Sequence, residues 1–251
     1  MHTLRTRIKK EIICEFLPPR KSSRNVVILC PGMPSQPGSK TVLEFLSRKG
    51  FWAFAPRYRG SWESGGRFLK KSPEKDILDM VGELHKGFRD AWSHKVYRIK
   101  NPSVFIIGSS FGGAAAILAS RNSGIRKAVA LSPVTTWAGL ARKESVEAME
   151  RFTREAFGNG YRFDRRDLLK LKNDNFYSPI HEARSIDGNK ILIIHAKDDR
   201  TVRAKNSIAF AKRTGSRLII KNRGGHFSVS AIMEKNYWKI VKKFLGSRSE
   251  R

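Results

Sequence analysis

Short, continuous apolar runs recur along the chain and are the clearest pattern in its sequence. Six of these runs are interpreted as strands, and they cover residues 26–30, 51–55, 104–107, 128–131, 191–194 and 218–220. Runs that are apolar at every position, rather than at every second one, indicate strands covered on both faces, as in a parallel sheet.

Amphipathic stretches lie between these runs and carry apolar residues at spacings of three and four. They predict helices over residues 41–48, 74–92, 110–119 and 232–245. Ser72, Pro73 and Glu74 favour the start of the second helix: a capping serine, proline in the first turn, then an acid. Strands alternating with helices predict an α/β fold with a mostly parallel sheet.

One segment interrupts this alternation. Residues 135–190 separate two strands by far more than a single crossover helix needs, and they contain helical patterns at 145–156 and 166–171. We interpret the segment as a small helical cap inserted over the carboxyl-terminal edge of the sheet. With no repeat and no low-complexity linker, residues 1–251 are expected to form a single domain.

Composition adds an expectation about the compartment. The 40% of hydrophobic residues is enough for one sizeable core, and no run approaches the ~18 apolar residues of a membrane span. The amino terminus lacks the pattern of a secretory signal. Cys14 and Cys30 lie in apolar runs and match neither a disulfide framework nor zinc-ligand spacing, so we expect buried thiols in a reducing cytoplasm.

The charge of the chain is strongly positive. Fifty Lys and Arg residues stand against 22 Asp and Glu, a net charge of +28. Such a surface attracts polyanions and anionic membranes non-specifically and in a salt-sensitive way. The basic residues are nevertheless spread along the chain, with no zinc finger and no RNA-recognition signature, so no dedicated nucleic-acid site is predicted.

The strongest chemical signal is the pattern G-x-S-x-G, formed by Gly108, Ser110 and Gly112. The letters alone occur often by chance, and such a turn can simply pack a helix on a strand. Here the pattern directly follows the strand at 104–107 and opens the helix at 110–119. A strand, a sharp turn and a helix form a nucleophile elbow, so Ser110 is the candidate nucleophile.

A nucleophilic serine needs a base and a carboxylate that orients the base, in the chain order Ser, Asp, His. His226 follows the last predicted strand within a glycine-rich loop and is the candidate base. Asp199 follows the strand at 191–194 and is the candidate acid, with its neighbour Asp198 as the alternative. Either aspartate could instead cap a helix that begins near residue 203. His195 ends a strand, and a structural role is expected for it.

Acyl transfer also needs N–H donors for the developing oxyanion. The residue after the nucleophile, Phe111, can offer its backbone amide. The loop at 30–34 follows an earlier strand, and Met33 is its natural donor because Pro34 has no N–H. The alternative is an ordinary Pro-Gly turn.

Together these motifs resemble the α/β-hydrolase superfamily over nearly the whole chain. The nearest resemblance is to small serine esterases and to the catalytic domains of prolyl-oligopeptidase-like peptidases. It rests on the elbow, on residues 54–66 as the loop after the fourth strand, on residues 195–202 as the acid loop, and on Gly225-His226. The resemblance implies an eight-stranded, mostly parallel sheet, an acyl-serine intermediate and no cofactor or metal.

Two positions depart from the superfamily pattern. The oxyanion loop reads Cys30-Pro31-Gly32 where His-Gly is common, and Ala196 replaces a glycine in the acid loop. The expected function is a serine hydrolase that cleaves carboxylic esters of small or medium acyl groups. Two alternatives remain: an amide or short-peptide hydrolase using the same residues, and a non-enzymatic polyanion-binding protein on a hydrolase scaffold.

Overall fold

A central sheet organises the backbone. The computed structural model describes residues 2–138, 145–173 and 175–246. The strands are β1 (Leu4–Ile8), β2 (Ile12–Leu17), β3 (Asn25–Cys30), β4 (Trp52–Pro56), β5 (Phe88–Arg89), β6 (Val96–Tyr97), β7 (Ser103–Ser109), β8 (Ile125–Leu131), β9 (Ile191–Ala196) and β10 (Arg217–Lys221). Eight of them form one sheet in the order β1-β2-β4-β3-β7-β8-β9-β10, and β5 pairs with β6.

Most strand pairs in this sheet are parallel. Only β2 runs against its neighbours: it is antiparallel to β1 and to β4, and the remaining pairs are parallel. The eight-stranded, mostly parallel sheet that the resemblance implied is therefore confirmed. The carboxyl ends of β3, β7, β8, β9 and β10 meet at one edge, where ligands bind in open α/β folds.

Helices cover both faces of the sheet. They are α1 (Lys40–Arg48), α2 (Glu74–Glu83), α3 (Phe111–Ala119), α4 (Val146–Phe157), α5 (Arg165–Leu169), α6 (Ala204–Thr214) and α7 (Lys235–Gly246). Within β3, Val26 and Ile28 pack in the cluster that includes residues of α2 and α3, whereas Val27 and Leu29 pack in the cluster with α1 and α7. Apolar residues at successive positions are therefore buried on opposite faces, which accounts for the continuous apolar runs.

The helix predicted over residues 74–92 is wrong in its second half. Helix α2 ends at Glu83, and the chain then forms the β5–β6 hairpin. Gly87, at φ +110°, turns the backbone out of the helix. Phe88 and Tyr97 stack at 5.9 Å, and Phe88 lies 5.2 Å from Phe16 in the core. The apolar spacing that imitates a helix here belongs to a hairpin that packs on the sheet.

The start of α2 also differs from the expectation. Pro73 is its N-cap residue and makes no side-chain cap, and the Ser72 hydroxyl instead donates to the Glu74 carboxylate. At the other end of the chain, α7 begins at Lys235 rather than at residue 232, because a 3-10 turn occupies Val229–Met233.

Inside the long segment at 135–190, the structure places α4 and α5 close to the two predicted helical patterns. Ser145 caps α4 by accepting the Ala148 N–H at 3.2 Å. Cys14 and Cys30 are free and buried, and burial raises the pKa of both thiols well above its ordinary value. Among the described residues, no helix is long and apolar enough to cross a membrane.

Candidate active site

Ser110 lies in a strained turn at the carboxyl edge of the sheet. It connects β7 to α3 at φ +53° and ψ −122°, a conformation that non-glycine residues rarely adopt. The surroundings hold this backbone: Ser110 N–H donates to Leu131 O at 2.9 Å, and Ser110 O accepts from Gly113 N and Val134 N at 3.0 Å each. The expected sequence of strand, sharp turn and helix is therefore present around Ser110.

The glycines flanking Ser110 allow helix and strand to approach each other closely. A Cβ added to Gly108 would lie 2.1 Å from Gly112 O, and one added to Gly112 would lie 2.0 Å from Cys30 O. Both contacts are with backbone atoms, which side-chain rotation cannot relieve. These glycines bring the loop after β3 against the serine: a Cβ on Gly32 would be 3.3 Å from Ser110 Cβ.

Asp199 and His226 form a hydrogen-bonded pair. Asp199 Oδ2 lies 2.8 Å from His226 Nδ1, and the two residues come from the loops after the adjacent strands β9 and β10. Asp199 is buried, whereas the His226 side chain is 27% exposed. A proton on Nδ1, shared with the carboxylate, leaves Nε2 of the neutral ring free to accept a proton.

The Asp199 carboxylate is held as an anion. Burial alone raises its pKa, but hydrogen bonds from two imidazoles and a backbone amide outweigh burial and leave the pKa well below its ordinary value of 3.8. Oδ1 accepts the N–H groups of Thr201 and Val202, each at 2.9 Å. Asp199 therefore remains ionised throughout the range in which an imidazole titrates.

The relation of the Ser110 hydroxyl to the His226 imidazole is the remaining part of the site. Within the described parts of the chain, Ser110 Oγ makes no hydrogen bond to His226. Hydrogen bonds of this kind are often long or absent in ligand-free enzymes and tighten when substrate binds.

An apolar cavity of about 260 Å³ opens beside Ser110. Its lining residues are Met33, Pro34, Ser110, Phe111, Val134, Trp137, Ala148, Met149, Phe152, Thr201 and Val202. The two residues predicted to donate to an oxyanion, Met33 and Phe111, both line this cavity with the serine. Helix α4 contributes Ala148, Met149 and Phe152. Among the described residues that line the cavity, none is charged.

Phe111 is fixed within an aromatic cluster. Its ring lies 4.7 Å from that of Tyr177 and 5.6 Å from those of Tyr58 and Phe68. The Tyr177 hydroxyl also donates to Phe111 O at 2.7 Å. The first residue of α3 therefore has little freedom to move, and its backbone amide keeps a constant place next to Ser110.

Comparison with known proteins assigns the family. The model of the prolyl oligopeptidase family matches residues 37–245. The chain belongs to the prolyl oligopeptidase family. As a member of that family it is a serine hydrolase with an α/β-hydrolase fold. Comparison with curated proteins gave no match.

Solved structures similar to this family member include both esterases and peptidases. An esterase of Pyrococcus furiosus, Pf2001, aligns with a TM-score of 0.67 at 18% identity, covering 99% of this chain and 93% of the esterase. An acylaminoacyl peptidase of Pyrococcus horikoshii aligns with a TM-score of 0.67 at 17% identity, covering 100% of this chain. This chain spans only 42% of that peptidase. At such identities the likeness shows the fold alone.

His195 contacts the candidate acid Asp199, and the sequence did not predict this contact. Its ring is fully buried, with Nε2 2.8 Å from Val202 O and 3.1 Å from Asp199 Oδ2, and Nδ1 2.8 Å from Ser207 Oγ. A carbonyl oxygen only accepts, so Nε2 carries a proton, and in the neutral ring Nδ1 then accepts from the Ser207 hydroxyl. The only signal in the sequence was its position at the end of β9, four residues before Asp199.

The neighbouring acid, Asp198, contacts the loop that carries His226. Its carboxylate accepts the N–H of Gly225 at 2.9 Å and that of Gly224 at 3.3 Å. These hydrogen bonds lower the pKa of Asp198, with the Gly225 amide the largest cause. The two adjacent aspartates therefore contact different parts of one loop: Asp199 its imidazole and Asp198 its backbone. Within the described chain, no cluster of His, Cys, Asp or Glu is placed to hold a metal ion.

Proposed function

We propose that this serine hydrolase cleaves carboxylic esters of small or medium acyl groups through an acyl-serine intermediate. The observation that carries the proposal is the position of Ser110, in a strained elbow that forms part of the wall of an apolar, uncharged cavity. A neutral hydrocarbon chain gains from entering such a cavity, whereas a charged group would lose its hydration there.

The proposed reaction proceeds in two steps. His226 Nε2 takes the proton of the Ser110 hydroxyl while its oxygen attacks the ester carbonyl, and Asp199 stabilises the imidazolium that forms. The alcohol then leaves with the proton from Nε2, and water activated by the same nitrogen releases the acid from the acyl-serine. Backbone amides of Met33 and Phe111 are proposed to donate to the oxyanion in both steps.

Selection of the acyl group is assigned to the cavity wall. Met33 closes it from the loop after β3, and Met149 and Phe152 close it from α4. Methionine side chains adapt to different shapes, which suits a range of chain lengths. Residues 135–190 would then act as the cap of a single domain spanning residues 1–251, as their spacing predicts.

A second candidate is the hydrolysis of amides or short peptides. It is favoured by the family match and by the peptidase among the similar structures. The same serine, histidine and aspartate would serve it, with an amine in place of the alcohol as leaving group.

The test compares turnover of p-nitrophenyl esters of short and medium acyl chains with turnover of acyl-peptide p-nitroanilides. The wild type is assayed beside Ser110→Ala and the matched control Ser109→Ala, whose serine is buried at the end of β7. Each protein is also treated with a fluorophosphonate probe. We expect ester turnover and labelling in the wild type and the control, and neither in Ser110→Ala.

Two results would contradict the ester proposal in different ways. Labelling at Ser110 with anilide turnover and no ester turnover would establish the peptidase alternative. A folded wild type that neither labels nor turns over either substrate would show that the predicted residues are not a working catalytic set, and would favour the binding-protein alternative.

A further inference from the structure

The β5–β6 hairpin presents two large apolar side chains to solvent, far from the cavity. Trp92 is 68% exposed and Val96 57% exposed, and all six residues at 91–96 are exposed. The turn of the hairpin adjoins β1, because the Ala91 N–H donates to Arg5 O at 2.6 Å, and β1 lies four strands from β7 in the sheet, about 19 Å at about 4.8 Å per strand. The hairpin is therefore a protruding surface that the proposed chemistry does not use.

Hydrogen bonds of Asp90 define the turn that carries Trp92. Asp90 accepts the N–H of Arg5 at 3.1 Å and, through its other oxygen, the N–H and hydroxyl of Ser93 at 2.8 and 2.6 Å. Phe88 and Tyr97 anchor the hairpin on the sheet. Among the described residues, the Trp92 ring is not part of the aromatic cluster to which these two rings belong; the Arg5 guanidinium lies 5.9 Å from its centroid instead.

Basic residues flank these apolar side chains in the sequence and on the adjacent strand. Residues 85–100 contain five Lys or Arg and one acid, Asp90, which is buried. The adjacent edge strand β1 carries Arg5 and Arg7, and the turn after it carries Lys9 and Lys10. Arg5 pairs with Glu15 and Glu63. Glu83 pairs with Lys9 and Lys86, each at 3.0 Å. Among the described residues, six of these cations have no carboxylate partner: Arg7, Lys10, Arg89, Lys95, Arg98 and Lys100.

We infer that the hairpin and β1 form a docking surface for an anionic lipid membrane. Tryptophan favours the interfacial region of a bilayer, and cationic side chains around it are attracted by anionic headgroups. Val96 favours a lipid over a nucleic acid, because an aliphatic side chain gains from entering the interface but offers no ring on which a base can stack. The inference is independent of the proposed esterase activity.

The test is co-sedimentation of the full chain with vesicles of phosphatidylcholine alone and of phosphatidylcholine mixed with phosphatidylglycerol. One variant combines Lys95→Gln, Arg98→Gln and Lys100→Gln, and another is Trp92→Ala. The matched controls lie on α6, which has three exposed cations and an exposed isoleucine. They are the triple variant Lys205→Gln, Lys212→Gln and Arg213→Gln, and Ile208→Ala.

We expect the wild type to bind the anionic vesicles and to bind phosphatidylcholine much more weakly. Each cation near an anionic surface is worth about fivefold in affinity, so the hairpin triple variant should bind about 100-fold more weakly. Trp92→Ala should weaken binding about tenfold, because one large apolar side chain no longer enters the interface, and each α6 control should weaken binding less than about threefold. Brominated lipids should quench part of the tryptophan emission of the wild type. This quenched part should be absent in Trp92→Phe. Unchanged thermal unfolding and fluorophosphonate labelling show that each variant is folded.

Three results would overturn the inference. The wild type could fail to prefer anionic vesicles, or the α6 variants could lose as much affinity as the hairpin variants, which would assign the binding to net charge. The third is tighter binding to duplex DNA than to vesicles together with the same dependence on Trp92, which would assign the surface to nucleic acid.

Discussion

The two adjacent aspartates allow a matched test of the proposed acid, because the same Asp→Asn change has different consequences at each position. In Asp199→Asn, the amide oxygen can keep the two backbone N–H groups that Oδ1 now accepts. The amide nitrogen then replaces Oδ2 and faces His226 Nδ1 at 2.8 Å and His195 Nε2 at 3.1 Å. The N–H groups of both imidazoles would then face the N–H group of the substituted amide. His226 must therefore move its proton from Nδ1 to Nε2, so that Nδ1 can accept.

The expected size of the effect follows from that tautomer. A ring that carries its proton on Nε2 cannot take one from Ser110. The corresponding change in serine proteases lowers kcat about 10⁴-fold, equivalent to about 5.4 kcal/mol in activation free energy. We expect a similar loss in Asp199→Asn. Asp198→Asn can keep the Gly225 N–H on its amide oxygen and loses the longer, solvent-exposed hydrogen bond from the Gly224 amide, so the loss of kcat should stay within about tenfold.

The assay is kcat/KM on a p-nitrophenyl ester together with the rate of fluorophosphonate labelling, which needs no natural substrate. Circular dichroism and thermal unfolding confirm that each variant is folded. Equal losses in the two variants, or more than about a tenth of wild-type activity in folded Asp199→Asn, would refute the assignment of Asp199 as the acid.

The remaining predictions concern stability. Gly112→Ala should lower the free energy of unfolding by about 3 kcal/mol or more, since its Cβ would lie 2.0 Å from Cys30 O. The matched control Gly82→Ala in α2, with no atom within 4 Å of its Cβ, should raise that free energy slightly. Chemical denaturation measures both, and equal effects would contradict the steric argument. The pKa of Asp199 is lower in the folded protein than its ordinary 3.8, so its contribution to stability is present above pH 3.8 and lost as the pH falls towards the folded-state pKa. The difference in unfolding free energy between wild type and Asp199→Asn should therefore shrink below pH 3.8, and a constant difference would contradict this linkage.

Local patterning alone determined much of the fold. Strands buried on both faces have an unmistakable continuous apolar signature, and this is why β3, β7, β8 and β9 were predicted close to their observed bounds. The elbow was equally accessible from sequence, because the close approach of α3 to the Cys30 carbonyl tolerates only glycine at position 112. The chain order of serine, acid and histidine came from the pattern of α/β-hydrolases, and the catalytic assignment of these residues stays a prediction.

Tertiary structure decided the rest. The apolar spacing from Ile77 to Trp92 fits a helix equally well, and only the aromatic cluster beneath Phe88 selects a hairpin and leaves Trp92 exposed. Asp198 and Asp199 are the same residue type in neighbouring positions, so local patterning does not separate their contacts, and only the resemblance of the acid loop favoured Asp199. The backbone turn after β9 directs one carboxylate to the imidazole and the other to the Gly224 and Gly225 amides. The same turn folds the Asp199 carboxylate back over the end of β9, where it contacts His195. This contact depends on three-dimensional proximity, so no periodic pattern in the sequence predicts it.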